Sequence, residues 1–199
     1  MLKTVVVVGI PGVGKSTVLS IAVKILVEKG YTVKLVNFGD YMLSYLKKLG
    51  ETDARDQIRR LRLATQLVAQ EAAAKAIRRD LEALSGDRSV GIVDTHAVIR
   101  TSLGYWPGLP LAVLGELRPS VIVVIEASPE EVLERQRRDV SRYRKDLMSI
   151  EFVEELLQIN RYYAIASSVI SGAALRFIRN SEGLAERAAE ELVKVVEEI

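Results

Sequence analysis

A chain of 199 residues with 49% hydrophobic content is long enough for one domain with a sizeable core. Its formal net charge of +2 supplies no global field to gather nucleic acid, and without cysteine it has neither disulfides nor cysteine-bound zinc. No apolar run approaches the roughly 18 residues of a membrane span, and the chain opens on a strand pattern rather than a secretory leader, so a protein of a reducing cytoplasm is expected.

Val5 to Val8 form a continuous apolar run, the pattern of a parallel strand buried on both faces. The run leads into GIPGVGKST at 9–17, after which residues up to Lys29 read as a helix. TVKLVNF (32–38) reads as a second strand, and GDYMLSYLKKLG (39–50) as a helix started by Asp40 and closed by Gly50. Residues 54–84 are expected to form one long helix with Leu61, Ala64, Val68 and Ala72 on its apolar face. SVGIVD (89–94) is a third strand ending in an acid. YWPGLP (105–110) reads as a rigid loop whose aromatics suit a pocket or the core equally. SVIVVIEAS (120–128) is a fourth strand, and Pro129 opens a helix after Ser128. A helix over 149–171, a fifth strand ALRFIRN (174–180) and a closing helix over 183–199 complete the chain.

Alternating strands and helices predict a doubly wound α/β fold, a five-stranded parallel sheet flanked by helices in a single domain spanning 1–199. Ligands of such sheets bind outside the carboxyl ends of the strands. The chemically informative residues fall at those ends.

Gly9, Gly14, Lys15 and Ser16 fit G-x-x-x-x-G-K-[ST], the phosphate-binding P-loop. Glycines at 9, 12 and 14 let successive N–H groups turn inward as a nest for anionic oxygens, and the following helix points its positive end at them. Gly9, Ile10, Pro11, Gly12, Val13, Gly14, Lys15, Ser16 and Thr17 are therefore expected to hold the phosphates of a nucleotide, in a loop that GTPases, ATPase motors and small-molecule kinases share. Lys15 would reach the β- and γ-phosphates, and Ser16 would ligate Mg²⁺. Asp94, at the end of the third strand, stands where an acid would hold that ion through water or orient Ser16. Arg100 reads as a clamp for a second phosphate or as a surface ion pair. His96, the single histidine, reads as structural or substrate-positioning rather than as a base. RQRRDVSRYRK (135–145) holds six basic residues in eleven. It reads as a lid that closes over phosphates and excludes water, or else as a nucleic-acid patch. Arg161 on the next helix could join the lid. The loop from Asn180 to Gly183 is a positional guess for the base.

Taken together, GIPGVGKST (9–17), NFGDYM (37–42), RDQIRRL (55–61), DTHAVIRT (94–101), PGLP (107–110) and RQRRD (135–139) resemble the nucleoside-monophosphate kinases, most closely the archaeal type of adenylate kinase. The resemblance implies a P-loop NTPase-type fold with a monophosphate-binding helical insert at about 39–85 and a short lid at about 138–148. It implies Mg²⁺-dependent transfer between ATP and AMP, no structural zinc, no membrane or nucleic-acid partner, and a cytoplasmic homo-oligomer, often a trimer. It casts Lys15, Arg138 and Arg142 as catalytic, and Asp40, Arg55, Arg59, Asp94 and Arg100 as the AMP side. Asp94 and Arg100 resemble the ends of the family's DGFPR-T loop, here longer as DTHAVIRT. GDYM resembles the family's GDM, but Leu43 and Ser44 stand where an arginine is expected, so Arg55 or Arg59 is the substitute charge. Rival readings are another acceptor, such as CMP, UMP or dephospho-coenzyme A, and a nucleic-acid-binding ATPase. A GTP switch would carry N-K-x-D, and the chain has no such tetrapeptide.

Overall fold

Seven strands and seven α-helices are present among the described residues of the computed structural model, which are 3–101, 103–138 and 149–199. The strands are β1 (Lys3–Val8), β2 (Thr32–Asn37), β3 (Ser89–Asp94), β4 (Val98–Thr101), β5 (Gly104–Pro107), β6 (Val121–Glu126) and β7 (Ala174–Arg179). The helices are α1 (Lys15–Glu28), α2 (Phe38–Lys48), α3 (Leu63–Glu82), α4 (Leu111–Leu117), α5 (Pro129–Arg138), α6 (Ile150–Ser171) and α7 (Ala185–Glu198). Five strands pair in parallel in the order β2-β3-β1-β6-β7, the sheet that the alternating pattern predicts.

The valine run of β1 shows why the sheet lies between two helical layers. Successive side chains point to opposite faces of a strand. Val5 and Val7 join a core with Leu19 and Leu26 of α1 and Leu192 and Val196 of α7. Val6 and Val8 join a second core with Met42 and Leu46 of α2, Ile77 and Leu81 of α3, and Leu117 of α4. β3 and β6 are buried along their whole length, whereas the edge strands β2 and β7 are largely exposed or half-buried. The chain winds outward from β1 to β2, returns to β3, then crosses β1 to reach β6. The carboxyl ends of β1 and β3 therefore meet at the crevice of a doubly wound sheet.

The insert between β2 and β3 departs from expectation in three ways. The expected single helix over 54–84 is a 3₁₀ turn (Arg55–Arg60) followed by α3. Leu61 and Arg62 take extended backbone between them, and the Gln66 amide closes the break by donating to the Leu61 carbonyl at 2.7 Å. Burial of Ile58 and the return of Arg55 toward α2 hold the turn in place. The buried face of α3 is also not the predicted one. Val68 is 54% exposed, and Ala69, Ala73, Ala74, Ile77 and Leu81 face inward. Small side chains let this face approach α2 and α4 closely, a gain that hydrophobicity alone does not register. Finally, α2 is capped by Asn37, not Asp40: the Asn37 side chain accepts from Gly39 N–H at 3.0 Å, and Asp40 lies in the first turn.

Three elements are present that the sequence pattern does not announce. β4 and β5 pair as an antiparallel hairpin where loops are expected, and α4 follows. The hairpin carbonyls are answered from neighbouring helices: Gln70 of α3 donates to Pro107 O at 3.1 Å and the Tyr163 hydroxyl of α6 to Tyr105 O at 3.2 Å. Pro107 ends an edge strand, where its missing N–H is tolerated.

Leu81 fills the space that Gly91 leaves in β3, its Cδ atoms 2.7 Å from where a Cβ would stand. Leu81→Ala should lower stability by about 2–5 kcal/mol through the cavity it opens. Denaturant midpoints measure this, with the half-exposed Leu67→Ala shifting stability by less than about 0.5 kcal/mol.

Candidate active site

The stretch Gly9–Gly14 turns from the end of β1 into α1 with Gly12 at φ 97° and Gly14 at φ 79°, angles that side chains resist. Gly14 is the N-cap of α1 and brings no side chain to it, so the first-turn amides of α1 face the crevice without a capping side chain. The outer side of the loop is braced by other elements. The carbonyl of Gly9 takes a hydrogen bond from His96 Nδ1 at 2.8 Å. Because a carbonyl only accepts, His96 carries its proton on Nδ1. Gln136 of α5 donates to Pro11 O at 2.7 Å. Val13 O accepts from Asn180 Nδ2 at 2.8 Å and from Arg135 Nη1 at 3.2 Å. Val13 N–H turns back to Ile10 O at 3.4 Å and Thr17 N–H to Gly14 O at 3.1 Å, and the start of α1 beside them is the kind of place where an anion binds.

Asp94 sits at the end of β3 with 9% of its surface exposed. Its Oδ1 takes the Lys15 ammonium, and its Oδ2 accepts from Asn37 Nδ2 at 2.8 Å. The Asn37 carbonyl oxygen in turn accepts from Arg55, whose other Nη donates to Asp40 Oδ1 at 3.0 Å. One polar chain thus runs Lys15–Asp94–Asn37–Arg55–Asp40, from the P-loop to the insert. It joins three sequence-predicted groups of the second site to the P-loop lysine. Ser16, on the first turn of α1, lines one hollow of about 360 Å³ with Asp94.

The remaining expected residues stand on other parts of the fold. Arg59 is exposed on the 3₁₀ turn that carries Arg55. Arg100 is exposed on β4, its guanidinium 4.3 Å over the Phe152 ring of α6. Arg138 ends α5, where it pairs with Glu134 at 3.1 Å and with Glu182 at 3.0 Å. Glu182 also accepts from Arg135 Nε at 3.0 Å, and the two guanidiniums, Arg135 foremost, hold its carboxyl below the usual range. Arg142 and residues 139–148 of the expected lid lie outside the described residues. Arg161, a possible lid partner, forms a two-toothed ion pair with Glu126 at the end of β6, at 2.6 Å from Nε.

Asn37 lies in the NFGDYM motif and Arg135 and Gln136 in RQRRD, but the sequence does not reveal the contacts they make with Asp94 and with the P-loop carbonyls. A polar side chain at the carboxyl end of a parallel strand, where ligands of such sheets bind, was the available signal for Asn37. Asn180, in the loop given as a positional guess for the base, donates to Val13 O.

A parallel 2-3-1 sheet half with a P-loop after its central strand and an acid opposite defines a P-loop nucleotide kinase fold. A family profile described as "AAA domain" matches residues 8–153. The crystal structure of a shikimate kinase from Bacteroides thetaiotaomicron superposes over 98% of both chains with a TM-score of 0.53 at 12% identity, a likeness of fold. In sequence, the adenylate kinase of Saccharolobus solfataricus is 49% identical over 192 residues, covering 96% of this chain and 98% of that protein. That of Sulfurisphaera tokodaii is 45% identical over the same shares, and that of Methanococcus vannielii 40% identical over 98% of each. The chain belongs to the adenylate kinase family, as the resemblance of its motifs implies.

Asn180→Ala removes one of the two donors that hold Val13 O. Binding of ATP should weaken roughly fivefold to tenfold, about one hydrogen bond's net worth. Titration calorimetry with ATP reads the change.

Proposed function

We propose that the chain transfers the γ-phosphoryl group of ATP reversibly to AMP, giving two ADP, with the work divided as follows. The observation that carries the reading is the polar chain from Lys15 to Asp40: it makes the nucleotide loop and the insert two halves of one crevice. Backbone N–H groups within residues 9–17 receive the ATP phosphates. Lys15 rests on Asp94 in this structure, and the β- and γ-phosphate oxygens would compete for its ammonium. Ser16 and Asp94 bring a hydroxyl and a carboxylate to one hollow, hard oxygen donors that suit Mg²⁺. Bound with ATP, the ion would draw charge from the phosphates.

The guanidinium of Arg55 is linked to Asp94 through Asn37 and is held by Asn37 and Asp40. With Arg59 and Arg100 it is proposed to take the AMP phosphate. Arg138 and Arg142 are proposed to neutralise the transferring group. Arg138 must exchange Glu134 and Glu182 for phosphate oxygens to do so, a swap of partners that a closing lid would supply.

No helix among the described residues is long and apolar enough to cross a membrane, and a cytoplasmic location is proposed. Self-association, as a trimer by family resemblance, is proposed as well. Exposed Tyr162, Ile165, Val169 and Ile170 of α6 support it, because an apolar face of this kind favours cover by another chain.

The test is a coupled assay of the purified chain with Mg²⁺, ATP and each of AMP, CMP, UMP, GMP and dephospho-coenzyme A. ADP should form with AMP and not without it. Turnover with a different acceptor alone would move the specificity. Lys15→Ala should lower kcat by about 10²–10³, the usual cost of losing one donor to a developing phosphate charge. Arg55→Ala should raise the KM for AMP about tenfold or more while leaving the KM for ATP within about threefold, equivalent to one charge-assisted hydrogen bond. An unchanged KM for AMP would remove Arg55 from the acceptor site.

A further inference from the structure

Asn37 closes β2 level with Asp94 of β3 in the sheet register, and it caps α2. Its side-chain amide makes three contacts that face three ways. Nδ2 donates to Asp94 Oδ2 at 2.8 Å, while Oδ1 accepts from Gly39 N–H at 3.0 Å and from Arg55 Nη2. The partners fix which way the amide points. A carboxylate only accepts, whereas a backbone N–H and a guanidinium only donate. A helix cap needs one acceptor, which Ser or Asp provides as well as Asn. The contacts to Asp94 and Arg55 go beyond capping.

Gly39 carries the same arrangement from below. A Cβ on residue 39 would meet the Arg55 guanidinium, with Nε at 2.7 Å. The arginine therefore lies across the backbone of the first α2 turn, with Asn37 at one side and Asp40 at the other. The linker between Asp94 and Arg55 is neutral. An aspartate there would set a second carboxylate beside Asp94 and the reacting phosphates, and a serine is one bond too short to span both partners.

We propose that Asn37 is a positioning residue for phosphoryl transfer. It fixes the Asp94 carboxylate and the Arg55 guanidinium relative to one another, so that donor and acceptor phosphates meet in line. The inference rests on the AMP-acceptor reading above and deepens it. Transfer depends mainly on alignment and charge, so a loosened Arg55 costs both acceptor affinity and turnover.

The experiment compares wild type with Asn37→Ser and Asn37→Asp, both of which keep a helix cap. Unfolding midpoints establish that each variant is folded at the assay temperature. Calorimetry then reads AMP binding without ATP, and the coupled assay reads kcat and the KM for AMP. Asn37→Ser should weaken AMP binding about fivefold and lower kcat about tenfold. Asn37→Asp should lower kcat further, because its charge opposes the phosphates. A purely structural Asn37 would move the midpoint and leave the AMP affinity and kcat of the folded protein unchanged; that result overturns the inference. Wild type that binds no AMP would overturn the acceptor reading and this inference with it. The two failures differ in whether wild type itself binds AMP.

Discussion

The site is organised by one buried carboxylate whose two oxygens face different halves of the crevice. Asp94 gives Oδ1 to the P-loop lysine and Oδ2 to the amide at the end of the neighbouring strand. A buried charge is tolerated only when it is paired and hydrogen-bonded, and both conditions are met here by the Lys15 ammonium and the Asn37 amide. The parallel register makes this possible. Val7 of β1 and Asn37 of β2 each stand level with Asp94, so the P-loop and the insert leave the sheet on either side of the same acid.

Support for the P-loop comes from the opposite flank. α5 and the end of β7 supply Arg135, Gln136 and Asn180 to the loop carbonyls. The start of α5 is itself fixed by a reciprocal cap, in which Glu131 accepts from Ser128 N–H at 2.8 Å and Ser128 Oγ from Glu131 N–H at 3.3 Å. Glu131 also accepts from Glu182 N–H at 2.6 Å, tying the β7 loop to the same helix turn. The nucleotide loop is thereby held in an anion-ready shape by side chains outside it. Such preorganisation is what a phosphate site needs, since its donors then pay little reorganisation when the anion arrives.

What the sequence made legible was local. The glycines of 9–14, the buried strand before them and the helix after them are a pattern in which each residue dictates its own backbone, and strand and helix order followed from hydrophobic runs. What it hid was tertiary. The break at Leu61 and Arg62 depends on Ile58 finding the core and Arg55 finding Asn37, neither of which a helical period encodes. The inward face of α3 is set by alanines, whose value lies in close approach rather than in hydrophobicity. The hairpin strands span four residues each, too short for an alternation to stand out. Asn37 looked like the polar end of a strand, because its three partners come from positions 39, 55 and 94 and meet only in the fold.

A double-mutant cycle between Asp94 and Arg55 probes the link most directly, read as kcat/KM for AMP in Asp94→Ala, Arg55→Ala and the double variant. Through one shared polar chain, the second substitution acts on a partner already set adrift. The double variant should then lose clearly less than the product of the two single losses, a coupling of at least about 0.5 kcal/mol. Losses that multiply without coupling would show that the acid and the arginine act independently, and that no single network joins the two halves of the site.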